Sequence, residues 1–421
     1  MSYKNRLFIT LMWLLPLSFF TYQFVLRLWP SIMMTSIMQT HAIDATAFGL
    51  LASFYYWGYA GFQVPIAIWL DKYGVRFVVF LCAMICGVAT LAATYADNWY
   101  VVLASRFFVG VGSAVGILGV SKALSEWFSK ENYGRMIGLT FTIGLMGAIY
   151  GGKPTTLLVE QLGSEKVATT LAMVSMLIGL VTLLFYKKPK SPKLKESKDP
   201  LRMRDLLKVL TSPTLCLLAI ANLFLVGSLE GFADVWGVNY LITAYGIAKA
   251  DAAEISSFIF VGMLFGGPLL TLISLRLGNF AVIALSGIGM AAILLYVFTI
   301  PAYNWYLLAS LFFMVGVFCC YQVLVFAVGC DLVKPQLLGV TVAFLNSVNM
   351  LGGSFFHSII GKLMDTYWTG EMVNGVRLYG VDAYNHALFV IPLCALLGSV
   401  IVLFVGFKSR RKAMTLQAAT A

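Results

Sequence analysis

The chain has 421 residues, 60% of them hydrophobic and only 11% charged, with a formal net charge of +11. A soluble domain carries roughly 25% charged residues, so this composition excludes a water-soluble globule and makes lipid the solvent for much of the molecule. The seven cysteines (Cys82, Cys86, Cys216, Cys319, Cys320, Cys330, Cys394) lie in or at the ends of apolar stretches. None has the loop spacing of a zinc site or a disulfide framework. They read as core filler, and no metal or cofactor is expected.

Taken in chain order, twelve apolar runs have the length of a helix that spans a hydrocarbon core, about 20 residues or more. They are predicted at 7–38, 47–70, 77–95, 98–121, 136–158, 167–186, 213–243, 254–275, 280–300, 304–330, 337–363 and 385–407. The first is longer than the apolar region of a signal peptide and is followed by no A-x-A-like site, so it is expected to remain as a membrane helix. The pattern predicts an all-α integral membrane fold. Its divisions are an N-terminal six-helix bundle (1–186), a basic cytoplasmic linker (187–212), a C-terminal six-helix bundle (213–407) and a cytoplasmic tail (408–421).

Charge placement sets the expected orientation. An even helix count puts both termini on one side. That side receives Lys4, Arg6, the Lys72–Arg76 loop, Lys122–Arg135, the 187–208 segment, Arg276, Lys334 and Lys408–Lys412. The other side keeps Lys166, Lys249, Lys362 and Arg377. Positive residues accumulate on the cytoplasmic face, so both termini are expected in the cytoplasm, and the short loops are those of a bacterial inner-membrane protein. The basic run KKPKSPKLKESKDPLRMR (187–204) is a proline-containing polar linker rather than a nucleic-acid site.

The sequence also repeats. Asn98-Trp99-Tyr100 recurs as Asn304-Trp305-Tyr306, and Leu103-Ala104-Ser105-Arg106-Phe107-Phe108 as Leu308-Ala309-Ser310-Leu311-Phe312-Phe313. Gly74 matches Gly278, and Gly134 matches Gly339. All four pairs are offset by 204 to 206 residues, so the chain reads as a duplicated bundle of six plus six helices. Internal repeats of this kind are a recurrent design of secondary transporters.

At this point the residues resemble a known family, the major facilitator superfamily of transporters. Trp69-Leu70-Asp71-Lys72-Tyr73-Gly74-Val75-Arg76 is similar to its helix 2–3 loop signature G-x-x-x-D-R-x-G-R-R, with Ala67 where the first glycine stands. Leu103-x-x-Arg106-x-x-x-Gly110-x-Gly112 resembles its fourth-helix signature. Glu126-Trp127-Phe128 through Gly134-Arg135 resembles the segment entering the fifth helix, and Gly144-x-x-Gly147-x-x-x-Gly151-Gly152-x-Pro154 the fifth helix itself. The resemblance implies twelve helices in two pseudo-symmetric bundles. It also implies a gating loop at Asp71, Lys72, Gly74 and Arg76 that latches the outward-facing state. Tyr22 to Pro30 looks like the first helix of the organophosphate and organic-anion branches.

Ionisable residues inside membrane spans are costly and mark pathways by default. Arg27, Arg106, Lys153, Glu230 and Asp234 stand out, with His357 as a titratable companion. The repeat offset maps Arg27 to about position 232, between Glu230 and Asp234, which share a helix face as i and i+4. It maps Lys153 next to His357. Gln23 lies one turn before Arg27; Tyr55, Tyr59 and Gln63 form one stripe, and Asn346, Asn349, Gly353 and His357 another. In the family the first, fourth, seventh and tenth helices line the cavity. The candidate substrate-binding residues are therefore Arg27, Gln23, Tyr55, Tyr59, Lys153, Asn346, Asn349 and His357. The candidate proton-coupling residues are Glu230, Asp234 and Arg106.

An arginine presents a planar donor fork suited to carboxylate or phosphate oxygens. The acidic Gly227–Asp234 stretch stands where the organophosphate exchangers carry a second arginine, which argues against a phosphate ester. The expected function is a proton-coupled secondary transporter of an amino acid, short peptide or organic acid, working as a monomer in lipid. An exporter of amphipathic compounds or a siderophore is the alternative within transport, and a membrane sensor the alternative of another class. Gly147-x-x-x-x-Gly152-Lys153 imitates a phosphate-binding loop, but Pro154 stands where a magnesium-binding hydroxyl is required and no strand precedes it. An ion or solute gradient, not a nucleotide, is expected to drive transport. No nucleophile is paired with a base, so no enzyme is expected.

Overall fold

The structure is a computed structural model that describes residues 3–189, 203–299, 304–334, 337–373 and 375–420. The central part of the expected basic linker, 190–202, lies outside the described residues. Ten helical segments among those residues are long and apolar enough to cross a membrane. One of them, Ala45–Tyr95, is two spans joined at Gly74, whose φ of 79° is open to glycine and strained for other residues. The 22-residue helix Lys130–Gly151 supplies the remaining span.

The twelve spans are α1 (Tyr3–His41), α2 (45–73), α3 (75–95), α4 (Trp99–Trp127), α5 (Lys130–Gly151) and α6 (Ser164–Phe185), then α7 (Pro213–Tyr245), α8 (Lys249–Leu277), α9 (Asn279–Thr299), α10 (Trp305–Asp331), α11 (Leu338–Thr366) and α12 (Val381–Ser409). The only strands among the described residues form a two-residue hairpin, β1 (Met372–Val373) against β2 (Val376–Arg377), with Met372 opposite Arg377. Several boundaries differ from the sequence expectation, two of them near candidate site residues. The fifth span does not run through 158: its helix stops at Gly152, where φ −81° and ψ −117° are not helical, and a separate short helix covers Lys153–Leu162. The fourth runs six residues further than expected, because nothing in Lys122–Trp127 breaks a helix, and this brings Lys122 into α4.

Two compact units divide the chain. The first takes Met1–Asp199 with Ile247–Ser257 and Gly370–Leu378; the second takes Pro200–Gly246, Phe258–Thr369 and Tyr379–Ala421. In the first, α5 lies on α1 through its glycines: a Cβ at Gly144 would strike Phe20, at Gly147 the carbonyl of Thr21, and at Gly151 would press on Leu28. Close contact of this kind, rather than a hydrophobic drive, holds helices together in lipid. Gly87 and Gly179 do the same between α3 and α6, against Met176 and Ala83. In the second unit Gly352 of α11 meets Leu223 and Val226 of α7, Gly398 of α12 meets Ala221 and Leu225 of α7, and Gly287 of α9 meets Ser399 of α12.

The internal repeat is written into these contacts. Gly58 sits on the carbonyl of Phe107 and Gly110 on that of Tyr55; Gly262 sits on the carbonyl of Phe313 and Gly316 on that of Ile259. Asn98 and Asn304 both cap helix starts, accepting from the amides of Tyr100 and Leu307. Gly74 and Gly278 both have positive φ, 79° and 84°. Each half thus makes the same backbone approaches at residues offset by 204 to 206 positions.

A valine at Gly110 drives its side chain into the Tyr55 backbone, and overpacking of this sort costs about 1–3 kcal/mol. Gly110→Val and Gly316→Val should each lower the melting temperature in detergent by several degrees. Gly61→Val, where a Cβ meets nothing within 4 Å, should leave it unchanged. Equal melting temperatures for all three would show that α2 and α4 do not pack backbone to backbone.

Candidate substrate and ion sites

The first unit gathers an arginine and aromatic cluster from α1, α2 and α4. Gln23 and Arg27 stand one turn apart on α1 and are 3% and 8% exposed, inside a span that lipid would otherwise leave without partners. The Tyr55 hydroxyl donates to Gln23 Oε1 at 3.1 Å. The Arg27 guanidinium lies 5.7 Å from the ring centre of Phe24 and 5.9 Å from that of Tyr56, within the range of cation–π attraction. Tyr59 continues the stripe, its ring 6.0 Å from that of Tyr55.

Arg106 reaches the same place from α4. Its Nη1 donates to the carbonyl of Leu26 at 2.7 Å and its Nη2 to that of Arg27 at 2.8 Å, while its guanidinium covers the Tyr55 ring at 4.6 Å. Arg106 also lines a cavity of about 250 Å³, together with Leu26, Trp29, Pro30, Met33 and Thr90. Lys153 is not brought to this cluster. Its Nζ lies 2.7 Å from Glu254 Oε2 and 3.5 Å from Asp251 Oδ1, at the start of the stretch Ile247–Ser257 that belongs to this unit.

The loop residues behave as two separate ties. Asp71 Oδ1 pairs with Lys122 Nζ at 2.7 Å, so the partner is a lysine of α4. Arg76 donates from Nε to the carbonyl of Leu183 in α6. Lys72 rests over the ring of Tyr73 at 5.1 Å, and Gly74 makes the turn from α2 into α3.

In the second unit α7 does not keep α-helical winding. Gly227–Trp236 forms a π-helix, closed by the amide of Gly237 on the carbonyl of Phe232 five residues back. Such turns are rare and concentrate at functional positions. This one carries both acidic residues, Glu230 and Asp234, each 1% exposed. Gly227 and Gly231 seat the ring of Phe356, the neighbour of His357 on α11. His357 and Asn349 are fully buried and Asn346 is half-buried. The Asn349 amide makes no hydrogen bond among the described residues. Asn222 donates to the carbonyl of Leu345 at 3.3 Å, and Tyr321 of α10 donates to the carbonyl of Asn222 at 3.2 Å.

Three of these residues escape sequence reasoning. Tyr56 and Phe24 flank Arg27 only because α1 and α2 present them there, and no spacing announces it. Asn222 did leave a signal, as a lone amide in the apolar run Pro213–Leu225.

The helices and their buried charges define an all-α integral membrane protein built from two similar halves. The chain belongs to the Major Facilitator Superfamily, whose family model matches residues 12–357. The family and the relatives found are transporters, not enzymes. The chloroplastic ascorbate transporter of Arabidopsis thaliana is 24% identical over 228 residues, 51% of this chain and 40% of the relative. The hexuronate transporter of Bacillus subtilis is 24% identical over 236 residues, 53% and 56% of the two chains. The matched stretch is thus less than two thirds of either relative's length. Among solved structures, a bacterial homologue of the human lysosomal transporter Spinster, inward-facing and unoccupied, superposes with a TM-score of 0.70 at 16% identity over 94% of this chain and 95% of its own. The nucleoside transporter NupG gives 0.74 at 14% identity over 94% and 98%. These likenesses show the fold.

Tyr55→Phe removes the donor to Gln23 and leaves its buried amide oxygen unmet, which costs about 1–3 kcal/mol. The melting temperature of Tyr55→Phe should fall measurably, and that of Tyr55→Phe/Gln23→Leu should recover part of the loss. No change in the single variant would show that Gln23 finds another donor.

Proposed function

We propose that this chain is a secondary transporter of a small organic anion, with the anionic group held by Arg27 and an ion gradient coupled through Glu230 and Asp234. The observation that carries the reading is the placement of Arg27. A guanidinium 8% exposed in mid-span is expensive in lipid, and here it lies against the rings of Phe24 and Tyr56 while its fork suits a carboxylate or sulfonate. The relatives favour the same chemistry: besides ascorbate and hexuronate, one from Cupriavidus necator is called a probable sulfoacetate transporter. Hydroxylated organic acids therefore stand ahead of amino acids and peptides. Gln23, Tyr55 and Tyr59 supply hydrogen-bonding groups beside the arginine, and Asn346, Asn349 and His357 do so in the second unit.

Glu230 and Asp234 are the proton sites in this reading. The π-turn holds both acids, each 1% exposed, on one short stretch of backbone. The Asp71–Lys122 pair and the Arg76 tie serve as the gating contacts of alternating access. The basic bias puts both termini in the cytoplasm, with a bacterial inner membrane as the location and a monomer as the working form.

Uptake into proteoliposomes tests this with labelled hexuronate, ascorbate, sulfoacetate, an amino acid and inorganic phosphate, under imposed proton and sodium gradients separately. An organic acid should accumulate under the proton gradient, and an ionophore should abolish the accumulation. Arg27→Ala should weaken its binding about 10- to 100-fold, the value of one or two charge-assisted hydrogen bonds. Glu230→Gln should retain exchange of internal for external substrate while losing uphill accumulation. Accumulation under sodium alone would remove the proton role, and equal uptake by Arg27→Ala would remove the anion site.

A further inference from the structure

We propose that Arg106 is a positioning residue that completes the backbone of α1, and that its partner in this task is Pro30. A helical carbonyl accepts from the amide four residues on. The amide that Leu26 would use belongs to Pro30, which has none. In lipid a carbonyl released in this way must be satisfied from elsewhere in the protein. Arg106 supplies that donor: Nη1 meets the Leu26 carbonyl at 2.7 Å, and Nη2 meets the next one, that of Arg27, at 2.8 Å. The planar fork fits two successive carbonyls of one helical turn, which a lysine ammonium cannot do with fixed geometry. The Tyr55 ring beneath the guanidinium holds it in place.

The repeat contains its own control. The alignment that pairs Ser105-Arg106 with Ser310-Leu311 puts a leucine where the arginine would be. The corresponding stretch of α7 has no proline: after Pro213, none occurs up to Tyr245. The half with the proline has the arginine, and the half without one lacks the other. Two residues 76 positions apart in sequence thus behave as one device. Its consequence falls on Arg27, whose own carbonyl is one of the two held, and whose side chain must keep its place against Phe24 and Tyr56. This consequence rests on the reading of Arg27 as the anion site; the clamp itself does not.

The test is a double-mutant cycle with Pro30→Ala, which returns the missing amide, and Arg106→Gln, which removes the fork. Melting temperatures of the four purified proteins are measured first, without any substrate. The Arg106→Gln loss should shrink by at least half in the Pro30→Ala background, because the Leu26 carbonyl then has an amide donor. Additive shifts would overturn the clamp. Arg106→Lys, which keeps the charge, should behave like Arg106→Gln, and a melting temperature equal to the wild type would also overturn it. The second measurement is KM against kcat for organic-acid uptake. Arg106→Gln should raise KM about tenfold, and Pro30→Ala should restore it to within threefold. A KM loss that Pro30→Ala does not rescue would make Arg106 a ligand instead. Absence of organic-acid uptake by the wild type would sink the proposed function, while the melting cycle would still decide the clamp.

Discussion

A bilayer core offers no hydrogen bonds, and this constraint governs the molecule. Every backbone group within a span must be satisfied by the helix itself or by a neighbour. A soluble fold can expose an irregular turn to water; in a span, irregular backbone is tolerated best where protein covers it. Pro30 and the π-turn at Gly227–Trp236 are both of this kind, and the residues of the π-turn are buried throughout. The same constraint explains the glycine contacts. Without water to drive apolar surfaces together, helices gain by close approach, and a glycine opposite a carbonyl is the shortest approach available.

The two halves share this scaffold and then diverge in what they place on it. At positions matched by the internal repeat, α1 carries Gln23 and Arg27 beside aromatic rings, while α7 carries Glu230 and Asp234 on a widened turn. The first arrangement sets a cation against the polarisable faces of Phe24 and Tyr56. The second buries two acids near a fully buried histidine and amide on α11. A duplicated backbone thus carries opposite charges on its matching helices without requiring two folds. Asp71–Lys122 and Arg76–Leu183 show that the loop motif is spent on ties between α2 or α3 and its neighbours within the first unit.

Much of this was legible in the residues. Run lengths gave twelve spans because a helix rises a fixed distance per residue and the hydrocarbon core has a fixed thickness. Asn98 and Asn304 announced equivalent helix starts because a side-chain cap is a local event. Gly74 and Gly278 announced equivalent turns because only glycine takes that φ freely. Arg27, Glu230 and Asp234 stood out because charge in a span is costly enough to need a reason.

What the sequence alone determined, then, is the lipid environment, the duplication and the identity of the ionisable residues, since each follows from composition or from local backbone chemistry. Tertiary structure decided who meets whom. It gave Lys153 to Asp251 and Glu254 rather than to the arginine cluster, because the helix of α5 ends at Gly152 and turns the lysine toward them. It wound Gly227–Trp236 as a π-helix, which an i, i+4 pattern cannot distinguish from an α-helix. It set Arg106 on the carbonyls of Leu26 and Arg27. Side-chain contacts across helices depend on register and crossing, and these are fixed only when the whole bundle packs.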